Sequence, residues 1–138
     1  MAIWQFDLFM VCAENVLPVL EEDGWTLPQW PAASTLRAQD ILLAALGHPW
    51  LMLDDWIVFG DESGTRVDLF FDDADKVEIR IRLDVSATNA KLDAICSFAL
   101  ALHARFFDPV TTTLLHPDRN TLAAALAGSR AAAFARSA

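Results

Sequence analysis

Between Lys76 and Val85 the chain alternates almost without fault. Val77, Ile79, Ile81, Leu83 and Val85 share one parity, and Glu78, Arg80, Arg82 and Asp84 share the other. A period of two sends successive side chains to opposite faces of a strand. The segment is therefore expected as an antiparallel strand with one buried and one solvated face. Two strand-like runs precede it, Trp56–Gly60 and Thr65–Phe71. Their connections, Asp61-Glu62-Ser63-Gly64 and Asp72-Asp73-Ala74-Asp75, are short and built of turn-forming residues. The three strands should form a meander whose apolar face needs a cover.

The other elements supply it. Ile3–Cys12 reads as a strand, with Trp4, Phe6, Leu8 and Met10 on one face and Gln5 and Asp7 on the other. From Ala13 to Ala33, three prolines (Pro18, Pro28, Pro31) and Gly24 oppose any long element, and a loop of this length in a small domain is usually functional. A helix is predicted over Ser34–Leu46, capped by Ser34 or Thr35 and closed by Gly47, with Leu36, Leu42, Leu43 and Leu46 as its apolar stripe. Thr88 should cap a second, central helix reaching Phe107, where Asp108-Pro109 stops it. On this helix Leu92, Ile95, Cys96, Ala99, Leu102, His103 and Phe106 share a face. Val110–Leu115 reads as a strand, and Thr121–Phe134 as a helix capped by Asp118 or Asn120. The expected fold class is α+β over one domain, residues 1–138. Its order is β-α-β-β-β-α-β-α, with a mostly antiparallel sheet and helices packed on one face.

With 138 residues, 54% of them hydrophobic, such a domain holds its core without disulfide or metal. Cys12 and Cys96 read as separate buried thiols. The apolar N-terminal run is too short for a bilayer crossing and lacks the basic start of a signal peptide, so a cytoplasmic, non-membrane protein is expected. The net charge of −9 is unevenly spread: fourteen acids against two bases before residue 76, five against eight from there on. Such a surface repels nucleic acid and attracts a basic partner.

Catalytic patterns are missing. His48 and His116 each precede a proline, as turn residues do, and His103 lies seven residues from Cys96, about 10.5 Å along a helix. No zinc spacing, nucleophile elbow or glycine-rich phosphate loop occurs. Asp61-Glu62 and Asp72-Asp73-Asp75 lack calcium-loop spacing. Asp68 followed by Glu78-Ile79-Arg80 resembles the acid hairpin of PD-(D/E)xK nucleases, but Arg80 stands where that chemistry needs a titratable lysine. No catalytic residue, cofactor or metal ligand is therefore assigned.

All five tryptophans precede residue 57. Trp4 and Trp56, in strands, are expected in the core, whereas Trp25 and Trp30 lie in the proline-rich loop beside Glu21-Glu22-Asp23. Loop tryptophans are frequent binding anchors. Together Trp56-Ile57-Val58-Phe59-Gly60-Asp61, the Val77–Val85 alternation and Leu126-Ala127-Gly128-Ser129-Arg130-Ala131 look like a large, loosely defined set of uncharacterised bacterial proteins of this size. Many of these small acidic α+β proteins resemble immunity proteins that neutralise polymorphic toxins. The resemblance covers the last two-thirds of the chain, implies partner binding and carries over no catalytic residue. The expected function is thus a non-enzymatic, immunity-like domain that docks a basic protein. Its surface would comprise Glu21, Glu22, Asp23, Trp25, Trp30, Asp54, Asp55, Asp61 and Glu62. The alternative is a small enzyme or ligand-binding domain with a carboxylate-lined pocket between sheet and helices. A third class, a homo-oligomer subunit, would bury the loop tryptophans across a two-fold interface.

Overall fold

A computed structural model describes residues 4–12 and 17–137. In chain order the strands and helices are β1 (Phe6–Cys12), β2 (Val19–Glu21), β3 (Gly24–Thr26), β4 (Trp30–Pro31), α1 (Ala32–Leu46), β5 (Trp50–Leu53), β6 (Trp56–Gly60), β7 (Arg66–Phe71), β8 (Lys76–Leu83), α2 (Asn89–Ala101), β9 (Ala104–Asp108), β10 (Thr113–Leu115), α3 (Arg119–Ala127) and α4 (Arg130–Ser137). The expected strand starts at Ile3 and the expected loop begins at Ala13; both positions lie outside the described residues.

The fold is α+β. Seven strands follow one another across the sheet in the order β10-β9-β1-β8-β7-β6-β5, and the short β4 adds to β8 beyond the end of β1. Every pairing among the described residues is antiparallel. The β6–β7–β8 meander forms as the alternation requires. Its apolar parity (Val77, Ile79, Ile81, Leu83) joins Val67, Leu69 and Phe59, and Phe6, Leu8 and Met10 of β1, in one core. All four helices contribute to that core, so they cover a single face of the sheet. Each fully buried Leu, Ile or Phe there contributes about 1.5–3 kcal/mol relative to exposure. Among the described residues no helix is long and apolar enough to cross a membrane.

Several elements differ from the sequence reading. The proline-rich stretch is not structureless: β2 and β3 form a hairpin, and Trp30-Pro31 pairs with Val77 and Lys76. Helix α1 starts at Ala32 with Pro31 as its N-cap and no side-chain cap bond. Ser34 and Thr35 instead turn their hydroxyls back onto the carbonyls of Pro31 and Ala32. The helix buries Thr35, Ala38 and Leu42, leaving Leu36 63% exposed. Helix α1 packs against α2, and the face it buries is centred on Thr35, Ala38 and Leu42 instead of on the full leucine stripe. Helix α2 keeps its predicted cap, Thr88, whose hydroxyl accepts from the Lys91 N–H, but it ends at Ala101. His103 adopts a left-handed φ of 52° and the chain turns into β9. The C-terminal helix is two helices, capped at Asp118 as expected and broken at Gly128-Ser129.

Gly60 closes β6 at φ 106°, and a Cβ built there would meet the Thr65 carbonyl oxygen at 2.3 Å. Gly60→Ala is expected to cost at least the roughly 1–3 kcal/mol of a disfavoured backbone conformation. Displacing the β6–β7 turn adds to that. Denaturant unfolding should show a lower midpoint with an unchanged slope.

Candidate functional site

The second face of the sheet carries no helix. Cross-strand register aligns its side chains in rows. One row runs Gly60, Arg66, Arg82, Asp7, and the next runs Val58, Asp68, Arg80, Phe9, Phe107. A third runs Trp56, Phe70, Glu78. Here the polar parity of β8 meets that of β7 and β1.

Asp68 is the buried centre of this face. One carboxylate oxygen accepts from Arg66 Nη2 at 3.0 Å and from Trp56 Nε1 at 2.9 Å. Arg66 Nη1 donates to the Glu62 carbonyl at 2.9 Å. Two charges leave water at a cost of several kcal/mol each, so they persist only with such partners. Arg82 Nε donates to Asp7 at 3.0 Å. With its amide oxygen turned inward, Gln5 accepts from both Arg82 η nitrogens, at 3.2 and 3.3 Å. Arg80 is held differently. Its Nε donates to Glu78 at 2.8 Å, and its guanidinium carbon lies 5.2 Å from the Phe9 ring centre and 5.1 Å from that of Phe70. Both distances suit cation–π attraction. Trp56 stacks against Phe70 at 4.8 Å. All of these side chains except that of Glu78 line a cleft of about 430 Å³.

A second cleft, about 350 Å³, opens between the ends of β1, β9 and β10 and the α3–α4 junction. Asp108 is its one carboxylate, and Oδ1 of that group already accepts from the Val110 N–H at 2.9 Å. Phe6, Leu115 and Ala125 make much of the remaining wall apolar.

The nine residues expected to form a docking surface fall in separate places. Glu21, Glu22 and Asp23 are exposed at the tip of the β2–β3 hairpin. Trp25 is half-buried beneath that hairpin, its ring edge-on to Phe107 at 5.0 Å. Trp30 cannot anchor a partner. It is 7% exposed, and its indole N–H donates to the Leu102 carbonyl. Pairing with Val77 draws it into the core. Asp54 and Asp55 occupy the β5–β6 turn, whereas Asp61 and Glu62 occupy the β6–β7 turn at the opposite end of the sheet. Trp4, expected in the core, is 57% exposed, and Trp56 is half-buried on the helix-free face. The fold does gather one group of acids. The Phe71 N–H donates to the Asp55 carbonyl at 2.8 Å, bringing Asp54 and Asp55 beside the turn of Asp72, Asp73 and Asp75. All five are exposed, and so are Leu51 and Leu53 on the neighbouring edge strand β5.

The sequence reading missed the Arg66–Asp68–Trp56 and Arg80–Phe9–Phe70 groupings. Their signal was partly present, because Arg80 and Arg82 alternate outward, but their partners arrive from β1 and β7.

The chain matches no family model, no curated protein and no solved structure. Its functional reading rests on its side chains.

Among the described residues no group of three or more His, Cys, Asp or Glu side chains is arranged to hold a metal ion. In the nuclease-like hairpin, Asp68 is bound to Arg66 and Trp56, and Glu78 to Arg80. His103 is exposed in the turn after α2 and does not extend the helix face of Cys96. Cys12 is exposed, against expectation, whereas Cys96 is buried. Burial, reinforced by Asp118 and Asp93, pushes the Cys96 thiol up to about 11 from its ordinary 9.0. The neutral thiol is the form the fold favours, so its contribution to stability is complete below pH 9 and lost as pH rises towards 11. Cys96→Ala is expected to remove that alkaline loss. Peptide mapping should find Cys96 resistant to iodoacetamide at pH 8 in the native protein and readily alkylated in denaturant.

Proposed function

We propose that the chain is a non-enzymatic, cytoplasmic protein-binding domain that docks a basic partner, in the manner of the immunity proteins it resembles. The observation that carries this reading is the meeting of Asp54, Asp55, Asp72, Asp73 and Asp75 at one end of the sheet, beside Leu51 and Leu53 of β5. Concentrated negative potential accelerates encounter with a positive surface. The exposed leucines supply apolar area that is desolvated on contact, and an edge strand offers unpaired backbone groups to an extended segment. Glu21, Glu22 and Asp23 add charge at a separate point and extend the attractive field. Trp30 has no part in this surface.

Affinity capture from the source cell at low and high salt tests the reading, with the Asp54→Asn, Asp55→Asn, Asp72→Ser, Asp73→Asn variant run in parallel. A basic protein held by the unaltered chain at low salt, released at high salt and not held by the variant is the expected result. Retention that is indifferent to both salt and the four substitutions would overturn it.

A further inference from the structure

We infer that the cleft on the helix-free face is a binding site for a small organic monocarboxylate, received end-on by the Arg80 guanidinium with its apolar body over Trp56 and Phe70. The acidic end of the sheet plays no part in this inference.

Arg80 is held as a receptor would be. Its Nε is committed to Glu78 at 2.8 Å, and Phe9 and Phe70 flank the guanidinium at 5.2 and 5.1 Å. Neither η nitrogen has a hydrogen-bond partner among the described residues, and the side chain is 49% exposed. The other two arginines of the cleft are spent: Arg66 on Asp68 and the Glu62 carbonyl, Arg82 on Asp7 and Gln5. With Nε engaged, the remaining fork is the parallel pair of η N–H groups. That geometry matches the two oxygens of a carboxylate. Its orientation is set before any ligand arrives, so little side-chain freedom remains to be lost on binding.

The surroundings select the ligand class. Asp7, Asp68 and Glu78 pair one for one with the three arginines that line the cleft, so these groups cancel locally on a chain of net charge −9. A single negative charge is tolerated there. A dianion such as phosphate meets three nearby carboxylates and the repulsive field of the whole molecule, and a polyanion more so. The cleft, about 430 Å³, has the size of a small-molecule site. Trp56 and Phe70 offer apolar ring surface to the body of the ligand.

Titration with phenylacetate, followed by the arginine Nε–Hε and tryptophan indole N–H resonances, tests the inference. Saturable shifts of the Arg80 and Trp56 signals are expected. Acetate, which lacks the body, should bind at least five-fold more weakly, and 2-phenylethanol and inorganic phosphate should not saturate. Arg80→Gln should weaken phenylacetate at least ten-fold, and so should Arg80→Lys, which keeps the charge but loses the fork. Both variants alter a half-exposed side chain, and unchanged circular dichroism checks that they fold. Absence of saturable shifts, equal binding of 2-phenylethanol, tighter binding of phosphate, or an Arg80→Gln protein that binds undiminished would each overturn the assignment.

Discussion

Asp68→Ala is expected to destabilise the protein by about 3–5 kcal/mol, the cost of breaking a buried ion pair by removing one partner. Asp68 and Arg66 are each 6% exposed. Without the carboxylate, the Arg66 guanidinium keeps, among the described residues, only the Glu62 carbonyl as acceptor, and Trp56 Nε1 loses its hydrogen bond to Asp68. The penalty is one of desolvation, because the remaining charge stays largely out of water without its ion-pair partner. The double variant Arg66→Met, Asp68→Leu should therefore recover most of the loss, since neither charge then has to be buried. Denaturant unfolding of Arg66→Met, Asp68→Leu and the double that combines them closes a mutant cycle. A coupling near zero would mean that the pair is solvated and that the floor of the cleft is wet.

The meander and its polar parity could be read from the sequence because both are local. Val77 to Leu83 alternate within a few residues of their own turns, and the adjacent strand β7 is reached through four. The candidate site was hidden because it is long-range. Asp7 lies 75 positions from Arg82, which it binds, and nothing in either neighbourhood states that β1 inserts between β8 and β9. Trp30 shows the same limit. Its proline-rich flanks indicate an exposed loop, yet its indole N–H reaches Leu102 across 72 positions. β9 fails for another reason: Leu102 and Phe106 suit a helical face, whereas Ala104, Phe106 and Asp108 suit a strand. Pairing with β1 and β10 decides between the two periods, and the left-handed residue His103 makes the turn. Of the five gathered carboxylates, Asp72, Asp73 and Asp75 were legible as one turn, whereas Asp54 and Asp55 were grouped with other acids. Only strand pairing brings them to the same end of the sheet.

Phe98→Ala is expected to cost about 3–5 kcal/mol, lowering the melting temperature by about 10–20 °C in a domain of this size. Phe98 is fully buried on α2, with Leu92, Ile95 and Ala99 buried around the same helix. Helix α2 packs against α1, α3 and β9, so a cavity left at Phe98 has neighbours on several sides and little room to collapse. Leu100→Ala is the informative control. Two residues on, Leu100 is 59% exposed, and its truncation should change stability by no more than about 0.5 kcal/mol. Hydrophobicity alone assigns both positions to the core, whereas the observed rotation of α2 separates them by several kcal/mol. Comparable losses at the two sites would require α2 to be turned about its axis. The turn at His103 and the pairing of β9 with β1 would then have to move with it.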